Sequence, residues 1–110
     1  MGKFEVYNDK KGEFRFRLKA GNGQVILASQ GYNSKSGCTN GIDSVRTNAR
    51  EDASYERLVA KNGSPYFNIK SSNGQVIGNS EMYSSEASME NGIKSIKKNA
   101  PGATVNDMTR

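Results

Sequence analysis

The sequence contains no histidine, no tryptophan and a single cysteine, Cys38. Zinc centres draw mainly on histidine and cysteine ligands, and the common nucleophilic hydrolases use a histidine base. A zinc cluster of these ligands, a Ser-His-Asp triad and a Cys-His pair are therefore excluded. The remaining residues form no catalytic constellation, so the sequence predicts a protein that is not an enzyme and has no catalytic, cofactor-binding or metal-binding residues.

Long apolar runs are also missing. No stretch approaches the roughly 18 apolar residues that a transmembrane helix needs. The first residues, Met-Gly-Lys-Phe-Glu-Val, lack the apolar stretch of a signal peptide. We therefore expect a cytoplasmic protein with no membrane partner, and a lone cysteine agrees with a reducing compartment.

The chain contains an internal duplication with an offset of 51 residues. Residues 16–49 align with residues 67–100, and 16 of these 34 pairs are identical. The densest match is Asn-Gly-Gln-Val-Ile at 22–26 and again at 73–77. Two copies are too few to stack as a solenoid or a propeller, so the duplication predicts one domain with pseudo-twofold symmetry.

Hydrophobic residues first alternate with polar ones in each repeat. Residues 14–19 read Phe-Arg-Phe-Arg-Leu-Lys, which predicts a strand with one buried and one solvated face. Asn22-Gly23 and Asn73-Gly74 supply the positive φ of a type I′ turn, so a hairpin and a further strand follow. Residues 55–59 predict a strand that ends repeat one and also opens repeat two.

The hydrophobic period then becomes helical. The apolar positions are spaced by four, three and four residues, at Cys38, Ile42, Val45 and Ala49 and again at Met89, Ile93, Ile96 and Ala100. Ser34 and Ser85 are the predicted N-caps. Gly41 and Gly92 fall inside these helices at a cost of about 1 kcal/mol relative to alanine. We interpret them as points of close helix-to-sheet approach, where a Cβ would clash.

Three further residues have structural interpretations. Cys38 aligns with Met89 on the apolar helix face, which predicts a buried thiol that acts as a small hydrophobic group. Tyr32 and Tyr83 precede the two helices at matched positions. We expect these tyrosines to anchor the corner between strand and helix.

These patterns together predict an α+β fold. We expect a single domain over residues 1–110, with repeat one at 1–54 and repeat two at 55–110. Each repeat has the order β-β-β-α-β, and the two form one antiparallel sheet of about six to eight strands with both helices on one face.

Particular segments resemble a known family. They are the strand and turn at residues 14–24, the helix end Gly-Ile-Asp-Ser-Val-Arg-Thr-Asn at 41–48, and Tyr-Phe-Asn-Ile-Lys at 66–70. Together they resemble the bacterial YegP-like family, a domain of unknown function that occurs singly or in tandem. The resemblance implies one sheet with terminal strands exchanged between the repeats. It also implies that a tandem chain contains the pair that single-repeat members form as dimers, so we expect a monomer. It offers no activity, cofactor or catalytic residue.

The net charge of +5 is unevenly distributed. Residues 1–50 carry nine basic and four acidic side chains, whereas residues 51–110 carry seven of each. Part of the excess is a basic row, Arg15, Arg17 and Lys19, on the outward positions of one strand. A basic row beside an aromatic residue can bind a nucleic-acid backbone, but the same charges can simply keep a strand soluble.

Two functions therefore stay open, besides a small-molecule enzyme that only a deep polar pocket would support. The first is a non-catalytic accessory or binding domain that recognises an unidentified partner, with repeat one facing anions. The second is a weak nucleic-acid or anion binder that uses the basic row. The matched carboxylates Glu5 and Glu56 are expected on the solvated side of a strand, so they indicate no acid pair for catalysis.

Overall fold

A computed structural model describes residues 2–109 of the chain. Within this range it has seven strands and two long helices. In chain order the elements are β1 (Lys3–Asn8), β2 (Phe14–Lys19), β3 (Val25–Ala28), α1 (Lys35–Asn48), β4 (Tyr55–Val59), β5 (Pro65–Lys70), β6 (Val76–Asn79), α2 (Glu86–Asn99) and β7 (Thr104–Asp107). The predicted α+β class and the β-β-β-α-β order of each repeat are confirmed.

All seven strands belong to one sheet with the order β4-β5-β6-β3-β2-β1-β7. The two repeats meet at β3 and β6, where Ala28 pairs with Asn79. These two residues are 51 positions apart and so occupy equivalent places in the repeats. The pseudo-twofold axis therefore passes between β3 and β6.

The terminal strands are exchanged as expected. Strand β4 follows the helix of repeat one and pairs with β5 of repeat two, while β7 follows the helix of repeat two and pairs with β1. One detail of the expected sheet is wrong, because β7 runs parallel to β1 rather than antiparallel. The reason is that α2 ends beside the start of β1, where Asn99 lies against Gly2. The chain therefore enters β7 at the same end of the sheet as β1.

Both helices pack on one face of the sheet. Helix α1 contacts β2, β5 and β6, and α2 contacts β3 and β5. The inward side chains of Phe16 and Leu18 on β2 and of Phe67 and Ile69 on β5 are fully buried beneath them. Ser34 and Ser85 cap the helices as predicted, since each Oγ accepts a hydrogen bond from a backbone N–H three residues on, at 3.0 Å and 3.1 Å.

The helix glycines make room for the tyrosines. The Tyr32 ring stacks on Phe16, with ring centroids 6.4 Å apart, and its hydroxyl lies against Gly41. A Cβ at Gly41 would lie 2.5 Å from the Tyr32 Oη and 3.1 Å from Cε2 of Phe16. Gly92 has the same relation to Tyr83. The predicted clash of a Cβ is confirmed at both glycines, but the closest atoms belong to the tyrosines that precede the helices, and only at Gly41 is a strand side chain, Phe16, among the nearest contacts.

We predict that Gly92→Ala lowers the free energy of unfolding by about 1–2 kcal/mol, because the new methyl group overlaps the Tyr83 hydroxyl. Urea unfolding measures the change. Adding Tyr83→Phe should recover part of the loss, because it removes the atom nearest the new methyl group. The neighbouring Asn91→Ala, on the exposed side of the helix, should instead be neutral or stabilise by up to about 0.7 kcal/mol. A Gly92→Ala protein more stable than the parent would refute the packing account.

We also predict that the intact chain is a monomer. Edge strands associate readily unless they are short or charged. Strand β7 has four residues, and on β4 Arg57 bonds Glu90 at 2.6 Å and Asp52 at 3.1 Å. Light scattering after gel filtration should give a mass near 12.0 kDa. A stable dimer at micromolar concentration would contradict this prediction.

Candidate functional site

The face of the sheet opposite the helices carries the basic row. Because α1 and α2 both pack on the other face, neither helix covers it. Arg15, Arg17 and Lys19 project from β2 on this outer face, opposite β1 residues that share it. Tyr7 pairs with Arg15 and Glu5 pairs with Arg17. The structure thus brings the three predicted residues together on one surface.

Glu5 is the centre of this surface. It is only 4% exposed, and its Oε1 accepts a hydrogen bond from the Arg17 Nε at 2.7 Å. Lys19 Nζ lies 3.2 Å from the same oxygen, and Lys3 Nζ lies 3.6 Å from Oε2. The expectation that Glu5 is solvated is wrong, because these long basic side chains lie around its carboxylate. The Arg17 hydrogen bond, helped by Lys19, outweighs burial and lowers the pKa of Glu5.

Arg15 is held separately. Its Nε donates to Oδ2 of Asp9 at 2.7 Å, and its Nη1 donates to the carbonyl of Ser29 at 3.2 Å. Asp9 lies in the turn between β1 and β2, where its other oxygen accepts two backbone N–H groups. The Arg15 hydrogen bond is the main reason that the pKa of Asp9 is lowered. Arg15 is therefore fixed in place by the turn.

An aromatic ring completes the surface. The Arg17 guanidinium lies over the Tyr7 ring, 4.6 Å from its centroid. A guanidinium at this distance is attracted by the negative face of the ring. We call the whole group the basic cluster, and it comprises Lys3, Glu5, Tyr7, Asp9, Arg15, Arg17 and Lys19. It contains four basic and two acidic side chains, so part of its positive charge is not neutralised within the cluster.

The equivalent surface of repeat two is different. Glu56 accepts hydrogen bonds from Lys70 at 3.0 Å and from Asn68 at 3.4 Å. Tyr66 stands in the place of Arg15, and the Glu56 side chain is 38% exposed. One cation faces one carboxylate there, so the outer face is basic over β1 and β2 and nearly neutral over β4 and β5.

The part of the chain that the structure describes was also compared with the requirements of a metal site, a reactive thiol and a membrane-spanning helix. Residues 2–109 contain no group of three or more His, Cys, Asp or Glu side chains placed to hold a metal ion. Cys38 is fully buried as predicted, and burial raises the pKa of its thiol to about 11. No helix in this range is long and apolar enough to span a membrane.

The two repeats each match one known domain. The family described as "Domain of unknown function (DUF1508)" matches residues 9–56 and again residues 60–107. The chain belongs to this family. A relative named "UPF0339 protein in ptx operon 5'region", from Stutzerimonas stutzeri, is 59% identical over 104 residues, which are 94% of each chain.

Solved structures of DUF1508 relatives have the same fold. The solution NMR structure of a UPF0339 protein from Shewanella oneidensis is similar with a TM-score of 0.93 and 51% identity, covering 98% of this chain and 92% of that one. The solution NMR structure of YegP from Escherichia coli is similar with a TM-score of 0.94 and 47% identity, covering 98% and 93%. The predicted resemblance to the YegP-like family is confirmed. The names of these relatives specify no activity and no partner.

Proposed function

We propose that this DUF1508 protein is a non-catalytic binding module whose basic cluster binds an anionic partner, the phosphate backbone of a single-stranded nucleic acid. The observation that supports the proposal is the gathering of four cations around two carboxylates on a sheet face that no helix covers. Proteins that bind single strands combine such a charged surface with an aromatic platform. Tyr7 is the aromatic side chain here, and Arg17 already lies over its ring.

The carboxylates of Glu5 and Asp9 orient the arginines of the basic cluster and leave some of their N–H donors available. Glu5 engages Arg17 through Nε, and among residues 2–109 no acceptor bonds the two terminal nitrogens of Arg17. Those nitrogens are the donors that a phosphate group accepts in bidentate contacts. Because the guanidinium is already held, little side-chain freedom is lost on binding. The partial neutralisation by Glu5 and Asp9 predicts weak rather than tight binding.

The test is the binding of a fluorescently labelled single-stranded oligonucleotide, measured by anisotropy at increasing salt concentration. If three side chains contact phosphates, the logarithm of the affinity should fall with the logarithm of salt with a slope of about −2, from about −0.7 per contact. The decisive variant is Arg15→Tyr with Arg17→Asn, which places the repeat-two residues on repeat one. This variant should fold and lose most of the binding.

Two outcomes contradict the proposal. If the double variant binds as the parent does, the basic cluster is not the binding surface. If the parent binds no oligonucleotide even at low salt, the row of charges serves solubility alone. Circular dichroism of the double variant checks that the fold is intact, and the Asn68–Glu56 contact of repeat two shows that an asparagine can pair with the cross-strand glutamate at the equivalent position.

A further inference from the structure

A second surface lies on the helix side of the sheet. A cleft of about 400 Å³ separates the turn between β2 and β3 from α2. Asn22 lines it from the turn, and Asn91, Lys94, Ser95 and Lys98 line it from α2. We call it the α2 cleft. It is built from both repeats, because the turn belongs to repeat one and the helix to repeat two.

The pseudo-twofold axis generates a matching cleft. It measures about 250 Å³ and lies between the turn joining β5 to β6 and helix α1. Asn40, Ser44 and Asn73 line it, and these are the repeat equivalents of Asn91, Ser95 and Asn22. The same polar groups therefore meet twice in the molecule, each time across the boundary between repeats. We call this second one the α1 cleft.

The asparagines that line the two clefts differ in their hydrogen bonds. The turn asparagines, Asn22 and Asn73, each accept a backbone hydrogen bond within their own turn, at 3.0 Å and 3.1 Å. The helix asparagines, Asn40 and Asn91, are solvent-exposed residues in the middle of α1 and α2, where asparagine is less favourable than alanine. Within residues 2–109 the side chains of these two make no hydrogen bond. Their amides are therefore available to a ligand in the cleft.

Charge distinguishes the two clefts. Lys94 and Lys98 are one helical turn apart on α2, and neither lies within ion-pair distance of a carboxylate in the described range. Their equivalents on α1 are Asp43 and Thr47. This contrasts with Arg15, Arg17 and Lys19, all of which contact carboxylates. Lys94 and Lys98 are thus unpaired cations of the described fold within residues 51–110, the part of the chain whose formal charges sum to zero.

We infer that the α2 cleft binds a small oxyanion, a phosphate or carboxylate group, between Lys94 and Lys98 with the Asn91 amide as an additional donor. Ammonium groups bind such anions as compact charges. The amide fixes the orientation of the bound group. This site is independent of the basic cluster, since it lies on the opposite side of the sheet.

The test is titration of the full-length ¹⁵N-labelled protein with sodium phosphate, followed by amide chemical shifts at constant ionic strength with chloride as the reference. Saturable shifts should appear at Asn22, Asn91 and Ser95. A parallel titration with citrate distinguishes a phosphate site from a carboxylate site. Shifts that grow linearly without saturation, or that are equal in the α1 cleft, would overturn the inference.

The matched variant is Lys94→Asp with Lys98→Thr, which places the α1 residues on α2. It should weaken phosphate binding at least tenfold, and Asn91→Ala should weaken it several-fold. The variant Arg15→Tyr with Arg17→Asn should leave the phosphate-induced shifts at Asn22, Asn91 and Ser95 unchanged, so failure of this site is distinguishable from failure of the basic cluster. Equal phosphate affinity in the parent and in the variant Lys94→Asp with Lys98→Thr would contradict the assignment of an oxyanion site to the α2 cleft.

Discussion

Replacing Gly78 with leucine is expected to lower the free energy of unfolding by about 3 kcal/mol, the upper part of the usual range for an overpacked core. Gly78 is the repeat-two equivalent of Leu27, and both lie beside the pseudo-twofold axis between β3 and β6. A Cβ at Gly78 would lie 2.8 Å from Cγ of Leu27, whose side chain is 1% exposed. Two leucines at equivalent positions would therefore compete for one space. Urea unfolding measures the loss.

A double substitution provides the control. Leu27→Gly with Gly78→Leu exchanges the two residues across the axis and should recover much of the stability that Gly78→Leu loses. If Gly78→Leu does not fold, Gly78→Ala gives a milder form of the same test, because even a methyl group overlaps Leu27. A Gly78→Leu protein as stable as the parent would show that the axis has room for both side chains.

The variant Glu5→Gln should lose about 2 kcal/mol of stability at neutral pH, because a largely buried carboxylate with a charged hydrogen bond is removed. The substitution leaves Lys3, Arg17 and Lys19 close together without their shared counter-charge. Chemical unfolding at pH 7 measures the effect. The matched control is Glu56→Gln, which should change stability much less than Glu5→Gln does, since that carboxylate is more exposed and has one lysine partner.

The same variant fixes the sign of the pH dependence. The pKa of Glu5 is lower in the folded state, so its stabilisation is complete above the ordinary value near 4.5 and is lost as the pH falls through the folded value. The parent should therefore lose more stability than Glu5→Gln on acidification, and the two curves should converge at low pH. If the two curves remain parallel down to acid unfolding, the ionisation of Glu5 does not contribute to the stability of the fold.

Local pattern was sufficient to predict most of the fold. Apolar and polar residues alternate over residues 14–19, which indicates a strand with one buried face. After Ser34 the apolar residues have helical spacing, which indicates a helix with one buried face. The direction of β7 was not predictable this way, because it depends on where α2 ends relative to β1. That position is set by tertiary packing, seen in the contact between Asn99 and Gly2.

The candidate site was only partly predictable. Alternation placed Arg15, Arg17 and Lys19 on the outer face, but it also placed Glu5 there and implied that it was solvated. Cross-strand pairing puts Glu5 directly opposite Arg17, so knowledge of the hairpin register would have revealed the cluster. The summed charge was less informative still, because it assigned the whole positive surplus to residues 1–50. Ion pairing occupies the basic row there and leaves Lys94 and Lys98 on repeat two without carboxylate partners in the described range.

The measurement that tests the central proposal most directly is a chemical-shift map of the intact protein with a single-stranded oligonucleotide at low salt. We expect the largest changes at the backbone amides of β1 and β2, with the Arg17 side-chain Nε–H among them. The amides of β4 and β5, which carry the nearly neutral half of the outer face, should change little. Changes centred on β4 and β5, or confined to the helix side of the sheet, would contradict the assignment of binding to the basic cluster.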